Sequence, residues 1–163
     1  MTLRSRRAVG QGLRPLAARS SQRGTAVLLD TNVVIRAQLN RDLTVEGRAA
    51  IEAAQDNGGI LVSVVSAWEI GLLARNRDSR TGRLFEPDVE TWVANAMRAP
   101  GVRPVLMSHD IALAAWRLPE PIHSDPADRL LIAVARALDV PLLTRDRAIL
   151  DYAALGHVRA IAC

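Results

Sequence analysis

Four acids, Asp30, Glu69, Asp128 and Asp146, fall where the surrounding pattern would carry them to one place. Asp30 closes the apolar run TAVLLD, and Asp146 stands two residues beyond the run PLLT. A short buried run ending in an acid reads as an interior parallel strand, and open α/β sheets bind their ligands just outside the carboxyl ends of such strands. Glu69 and Asp128 read as first-turn residues of helices whose N-termini face that same edge. Four carboxylates on one rim repel one another unless a cation sits among them. Oxygen ligands without His or Cys suit Mg2+ or Mn2+ over Zn2+. Such an ion keeps several waters, activates one as a nucleophile and neutralises charge on a scissile phosphate.

Each acid also has a plainer reading. Ser66 is a natural N-cap with Glu69 three residues on, so Glu69 fits a capping box. Asp128 could compensate a helix dipole, and Asp146 could be a turn residue in Thr-Arg-Asp-Arg. Asp125 before Pro126 is most simply an N-cap. Asp110 and Asp139 read as helix-terminal or surface residues. Asp30 resists such an account, because an acid ending an apolar strand has little structural purpose. The set of four carries more weight than any member.

The elements that must position these acids alternate along the chain. After TAVLLD come two helices, TNVVIRAQL and TVEGRAAIEAAQDNG, the second closing at Asn57-Gly58-Gly59. Ile60 to Val65 is a second buried strand, and SAWEIGLLAR a helix. Glu86 to Ala99 reads as a helix with Pro87 near its first position. VRPVLM is a strand whose Pro104 places it at an edge. SHDIALAAWRL is a helix stopped by Pro119 and Pro121, and Asp125-Pro126 opens the strongest helix, ADRLLIAVARALD. PLLT, a helix from Arg147 to Leu155 ended by Gly156, and the strand HVRAIA complete the chain. Alternating strands and helices predict a three-layer α/β/α sandwich around a central parallel sheet. Trp68, Trp92 and Trp116 are expected in the core rather than as base-stacking platforms.

Charge divides the 163 residues in two. All 21 basic side chains are Arg, and six of them (Arg4, Arg6, Arg7, Arg14, Arg19, Arg23) precede the first acid. The rest of the chain carries 15 Arg against 17 acids, a balance of −2. The pI near 10.8 therefore belongs to the N-terminus and says little about the folded part. Residues 1–24 lack acids and apolar periodicity, which fits a disordered basic arm or an upstream start codon better than a transit peptide. Residues 25–163 form one domain. The apolar runs are too short to span a membrane. A single cysteine, Cys163, excludes an internal disulfide and suits a reducing compartment, so a cytoplasmic location is expected.

The blocks LLDTNVVI, SAWEIGLL, HSDPADRLLIAVARAL and PLLTRDRAIL, in this order and spacing, resemble the signature blocks of PIN-domain ribonucleases. In particular they resemble VapC toxins of type II toxin–antitoxin systems. The resemblance covers Thr25 to Cys163. It implies an endoribonuclease whose acidic quartet is Asp30, Glu69, Asp128 and Asp146, with Asp30, Asp128 and Asp146 on the metal. It also implies supporting roles for Thr31 and Asn32 after the first acid, Ser66 before the second, Arg129 after the third and Thr144 before the fourth. Ala127 departs from the Phe common at that position, and the fourth acidic position is variable in the family. A VapB-like antitoxin, a homodimer and a transfer or ribosomal RNA substrate are likewise implied.

An acidic pocket needs positive charge around it to hold a polyanion. Arg75, Arg77, Arg80 and Arg83 cluster after the Glu69 helix, and Arg145 and Arg147 flank Asp146. They read equally as an RNA-phosphate rim or as solvated surface. Phosphotransfer classes that also use an Asp at the end of a first strand do not fit. Receiver domains depend on a Lys, which the chain lacks, and dehalogenase-type phosphatases place a second Asp where Asn32 stands. The remaining alternative is a catalytically inert PIN-fold module that binds RNA or antitoxin.

Overall fold

The computed structural model describes residues 26–56, 59–75, 84–121 and 124–163. The expected arm at residues 1–24, the turn at Asn57 and Gly58, and Arg77, Arg80 and Arg83 lie outside the described residues. Among the described residues, five short strands form one parallel sheet: β1 (Val27–Leu29), β2 (Ile60–Ser63), β3 (Val102–Val105), β4 (Leu142–Thr144) and β5 (Ala160–Ala162). Their order is β3-β2-β1-β4-β5. The register sets Leu29 beside Val62 and Leu143, so Asp30, Val64 and Arg145, which follow the ends of β1, β2 and β4, leave the sheet at one edge. β3, which contains Pro104, is an edge strand, where a missing amide costs no ladder bond.

Among the described residues, seven helices cover the two faces. They are α1 (Thr31–Gln38), α2 (Val45–Gln55), α3 (Val64–Ala74), α4 (Val89–Met97), α5 (His109–Trp116), α6 (Pro126–Leu138) and α7 (Arg147–Ala154). One core cluster joins β1 and β2 to α1, α3 and α4 through Val33, Val34, Ile70, Trp92 and Ala96. The other joins the sheet to α6 and α7 through Leu28, Leu131, Ile132, Leu142, Ile149 and Tyr152. The expected α/β/α sandwich is therefore present. β1 and β4 are buried throughout, as a sheet covered on both faces requires.

Local chemistry sets the helix starts, with two departures from expectation. The second strand ends at Ser63, whose hydroxyl accepts the Val65 amide at 3.1 Å and caps α3. ILVSVV has no periodicity that marks this boundary, so Ser66 is an interior helix residue and not the cap. Similarly, Asp88 caps α4, accepting the Thr91 amide at 2.7 Å, so Pro87 precedes the helix. Asp125 does cap α6, accepting the Ala127 amide at 2.8 Å, with Pro126 at the first position. Of the three tryptophans, Trp92 is buried, whereas Trp68 and Trp116 are exposed. Among the described residues, no helix is long and apolar enough to cross a membrane.

Candidate active site

Asp30 follows β1 directly and is buried, only 3% exposed. Asp30 stands at the N-cap position of α1, but its carboxylate is not spent on a capping bond of ordinary geometry; the amides of Thr31 and Asn32 act on it only weakly. Instead its Oδ2 accepts the Thr144 hydroxyl at 2.6 Å, across the gap from β1 to β4. Thr144 is wholly buried, and its oxygen also accepts the Asp146 amide at 3.0 Å. One hydroxyl thus positions the first acid and anchors the backbone of the fourth. Burial pushes the Asp30 carboxyl above the ordinary range. The Thr144 hydroxyl and the amides of Thr31 and Asn32 oppose that rise, and repulsion from Asp146 adds to it.

Glu69 lies in the second turn of α3, not the first, because the helix begins earlier than expected. Its Oε2 accepts a short hydrogen bond from the Thr31 hydroxyl. Thr31 has one proton to give, so Ser66, whose Oγ lies 3.0 Å from Thr31 Oγ1, donates to that oxygen. Ser66 and Thr31 are both buried, which makes this a protected relay ending on Glu69. The Glu69 carboxyl is raised by burial, lowered by Thr31, and raised again by Asp30 and Asp125.

Asp128 occupies the first turn of α6 and is half-buried. Its carboxyl is pushed up to about 7, first by burial and then by the charges of Asp30, Asp125, Asp146 and Glu69. Asp146 caps α7, its Oδ1 accepting the Ala148 amide at 2.7 Å. The turn role open to Asp146 is therefore filled as a helix cap, yet its charge still reaches Asp30 and Asp128. Asp125 does the same from the cap of α6, acting on Glu69 and Asp128. Its Asp-Pro position reads first as a cap, and the electrostatic part comes in addition to that role. Five carboxylates thus share one field at the sheet's carboxyl edge.

The remaining residues divide. Asn32 is exposed on the first turn of α1. Arg129 is turned away from the acids: Nε and Nη2 donate to the carbonyls of Ala115 and Trp116, at 3.3 and 3.1 Å, and cap the end of α5. Arg147 pairs with Asp151 at 2.9 Å on its own helix. Arg75 ends α3, six residues beyond Glu69, so about 9 Å further along the helix axis. Arg145 is exposed between Thr144 and Asp146. A cavity of about 380 Å³ lies between α5 and α6, lined by Ala114, Arg117, Leu118, Ala133, Arg136 and Ala137; none of the acids lines it.

Among the described residues, no set of three or more His, Cys, Asp or Glu side chains is arranged to clasp one ion directly. Mg2+ asks for less, since it commonly takes one or two carboxylates and completes its shell with water. The donor set fits such an ion in chemistry and charge: all-oxygen ligands that repel one another, with Asp30, Glu69 and Asp128 held above their usual pKa.

The PIN domain family matches residues 27–155. With most of the sequence matched, the fold and the carboxylate-lined edge belong together: this chain is a member of the PIN-domain family. No curated protein matches it. Solved structures share the fold at low identity. VapBC2 from Rickettsia felis, bound to a promoter DNA fragment, is 12% identical with a TM-score of 0.60, over 84% of this chain and 98% of that one. DNA-bound VapBC from Salmonella typhimurium is 14% identical with a TM-score of 0.58, over 85% and 98%. FitAB bound to the IR36 DNA fragment is 16% identical with a TM-score of 0.55, over 83% and 94%.

Proposed function

We propose that the protein is the toxin component of a type II toxin–antitoxin system, acting as a Mg2+- or Mn2+-dependent endoribonuclease. The observation that carries this reading is the convergence of Asp30, Glu69, Asp128 and Asp146 at one sheet edge, with Asp128 pushed up to about 7 by burial and then by its acidic neighbours. A bound Mg2+ or Mn2+ supplies charge neutralisation at the scissile phosphate and acidifies a water for attack. The protein's part is positioning. Thr144 fixes Asp30, and Thr31, backed by Ser66, fixes Glu69. Asp30, Asp128 and Asp146 are the candidates to hold the ion, one or two of them directly.

The toxin assignment rests on the PIN family and on the VapBC and FitAB complexes among the structures that share the fold. It brings a VapB-like antitoxin as partner and an RNA substrate of the transfer or ribosomal class. A second copy of the chain is the proposed cover for the apolar stripe of Val64, Trp68 and Leu72 on α3, all exposed. Purified protein incubated with total RNA in Mg2+ or Mn2+ should cut at discrete positions, with cutting abolished by a chelator and by Asp30→Asn. Equal cutting by Asp30→Asn would remove the proposed centre. Metal binding without any cutting would favour the inert module.

A further inference from the structure

Positive charge around the acids is not evenly useful. Arg147 is paired with Asp151, Arg129 caps α5, and Arg75 lies at the far end of α3. Among the described residues, Arg36 and Arg145 are the two arginines whose charges act on Cys163, the residue that follows β5. Arg145 is exposed beside Asp146. Arg36, in the second turn of α1, donates from Nε and Nη2 to the Asp42 carbonyl at 3.0 and 2.7 Å. This pair of hydrogen bonds to one carbonyl fixes the plane of the guanidinium and leaves Nη1 available for another acceptor.

A continuous set of contacts ties these two arginines to one corner. The loop that Arg36 holds leads to Thr44, whose hydroxyl donates to the Ala162 carbonyl at 2.9 Å at the end of β5. The next amide, Cys163, donates to the Thr144 carbonyl at 2.9 Å, immediately before Arg145. Gly47 lets α2 approach this end: a Cβ there would lie 2.8 Å from Cys163 Sγ. Both guanidiniums favour the ionised form of the buried Cys163 thiol, against the larger effect of burial, while Asp30 disfavours it. Arg36, Arg145 and Asp30 therefore all lie within Coulombic reach of one sulfur.

Resting on the ribonuclease reading, we propose that Arg36 and Arg145 together grip a backbone phosphate of the RNA strand beside the acidic cleft. A forked, preorganised guanidinium recognises phosphate oxygens in the way a free side chain on a flexible stem does not. The grip also gives the strand a direction, entering from the β5 end and crossing the acids toward α3. Nothing in the spacing of Arg36 from Asp30 marks it for this role; its link to Arg145 runs through the fold.

The test is binding of a fluorescently labelled single-stranded oligouridylate, read by anisotropy in Ca2+ across a salt series with the full chain. Arg36→Ala and Arg145→Ala should each weaken binding about 5- to 10-fold and flatten the salt dependence by about 0.7 per lost contact. Arg36→Lys should recover part of the affinity, and Arg147→Ala should bind as wild type. The six arginines before Asp30 contribute equally to every variant, so differences report the grip. Thermal midpoints within a degree or two of wild type show that the α1–α2 corner is intact; should Arg36→Ala loosen it, Arg145→Ala and Arg36→Lys decide. Wild-type affinity and salt slope in both Ala variants, with Mg2+-dependent RNA cleavage retained, would overturn the grip and leave the nuclease standing. No RNA binding by the wild type would overturn both.

Discussion

Helix α6 holds two opposite kinds of region within 13 residues. From Leu131 to Ala135 every side chain is buried against the sheet and its neighbours, and burial there stabilises the fold. One turn earlier, burial and then a field of four other carboxylates push the Asp128 carboxyl up to about 7. At neutral pH without a cation, that end opposes folding. A fold shaped by stability alone would disperse such charge, yet Asp30, Glu69, Asp125, Asp128 and Asp146 share one edge. Charge is tolerated there because the rest of α6 and the buried strands β1 and β4 hold the acids in place.

The contrast can be broken from either side. The largest effect is expected from Asp30→Asn, which should lower RNA cleavage on the order of 10²- to 10⁴-fold. The same change should raise the thermal midpoint of the metal-free protein, since it removes a charge that burial disfavours. Leu131→Ala should do the reverse, costing about 2–5 kcal/mol of stability in a denaturant melt. Divalent-ion affinity should survive that change under conditions where the protein stays folded.

Thr144→Val should be intermediate. It removes the donor to Asp30 and the acceptor of the Asp146 amide, so cleavage should fall about 10- to 100-fold, as for outer-shell partners of metal ligands. The buried Asp30 carboxylate loses the contact that opposes its raised pKa, and the pH profile of cleavage should move upward. Thr31→Val should act in the same direction through Glu69, with a smaller effect because Glu69 is less buried.

The smallest effect is on pH. Asp128 has a folded pKa near 7, above its ordinary value of 3.8, so the folded state binds more protons between those limits. Its contribution is favourable below about pH 4 and is lost as pH rises through about 7. The metal-free thermal midpoint should therefore climb as pH is lowered from 7 toward 5, and saturating Mg2+ should flatten or reverse that slope. A metal-free midpoint that falls steadily over the same window would contradict the described field.

Much of this was legible in the residues. Asp30 and Thr144 close apolar runs, Pro104 belongs on an edge, and Asp125-Pro126 opens a helix. The start of α3 was not, because ILVSVV reads the same as strand or buried helix, and with it went the placement of Ser66 and Glu69. The partnerships of the acids were also hidden. Thr31 reaches Glu69 across 38 residues and Thr144 reaches Asp30 across 114, distances that no local spacing encodes. Arg129 stands beside an acid in sequence, yet open carbonyls at the end of α5 draw its guanidinium away. Trp68 and Trp116 fit an apolar face by period, but no described element covers them fully.

Calorimetric titration of Mn2+ into the metal-free protein at pH 6.5, in two buffers of different ionisation enthalpy, tests the central claim most directly. If the carboxylate field at the sheet edge is a cation site, Mn2+ should bind to wild type and release a fraction of a proton as Asp128 ionises. Asp30→Asn should bind it at least about 10-fold more weakly. No binding by the wild type, or binding unchanged in Asp30→Asn, would contradict the account.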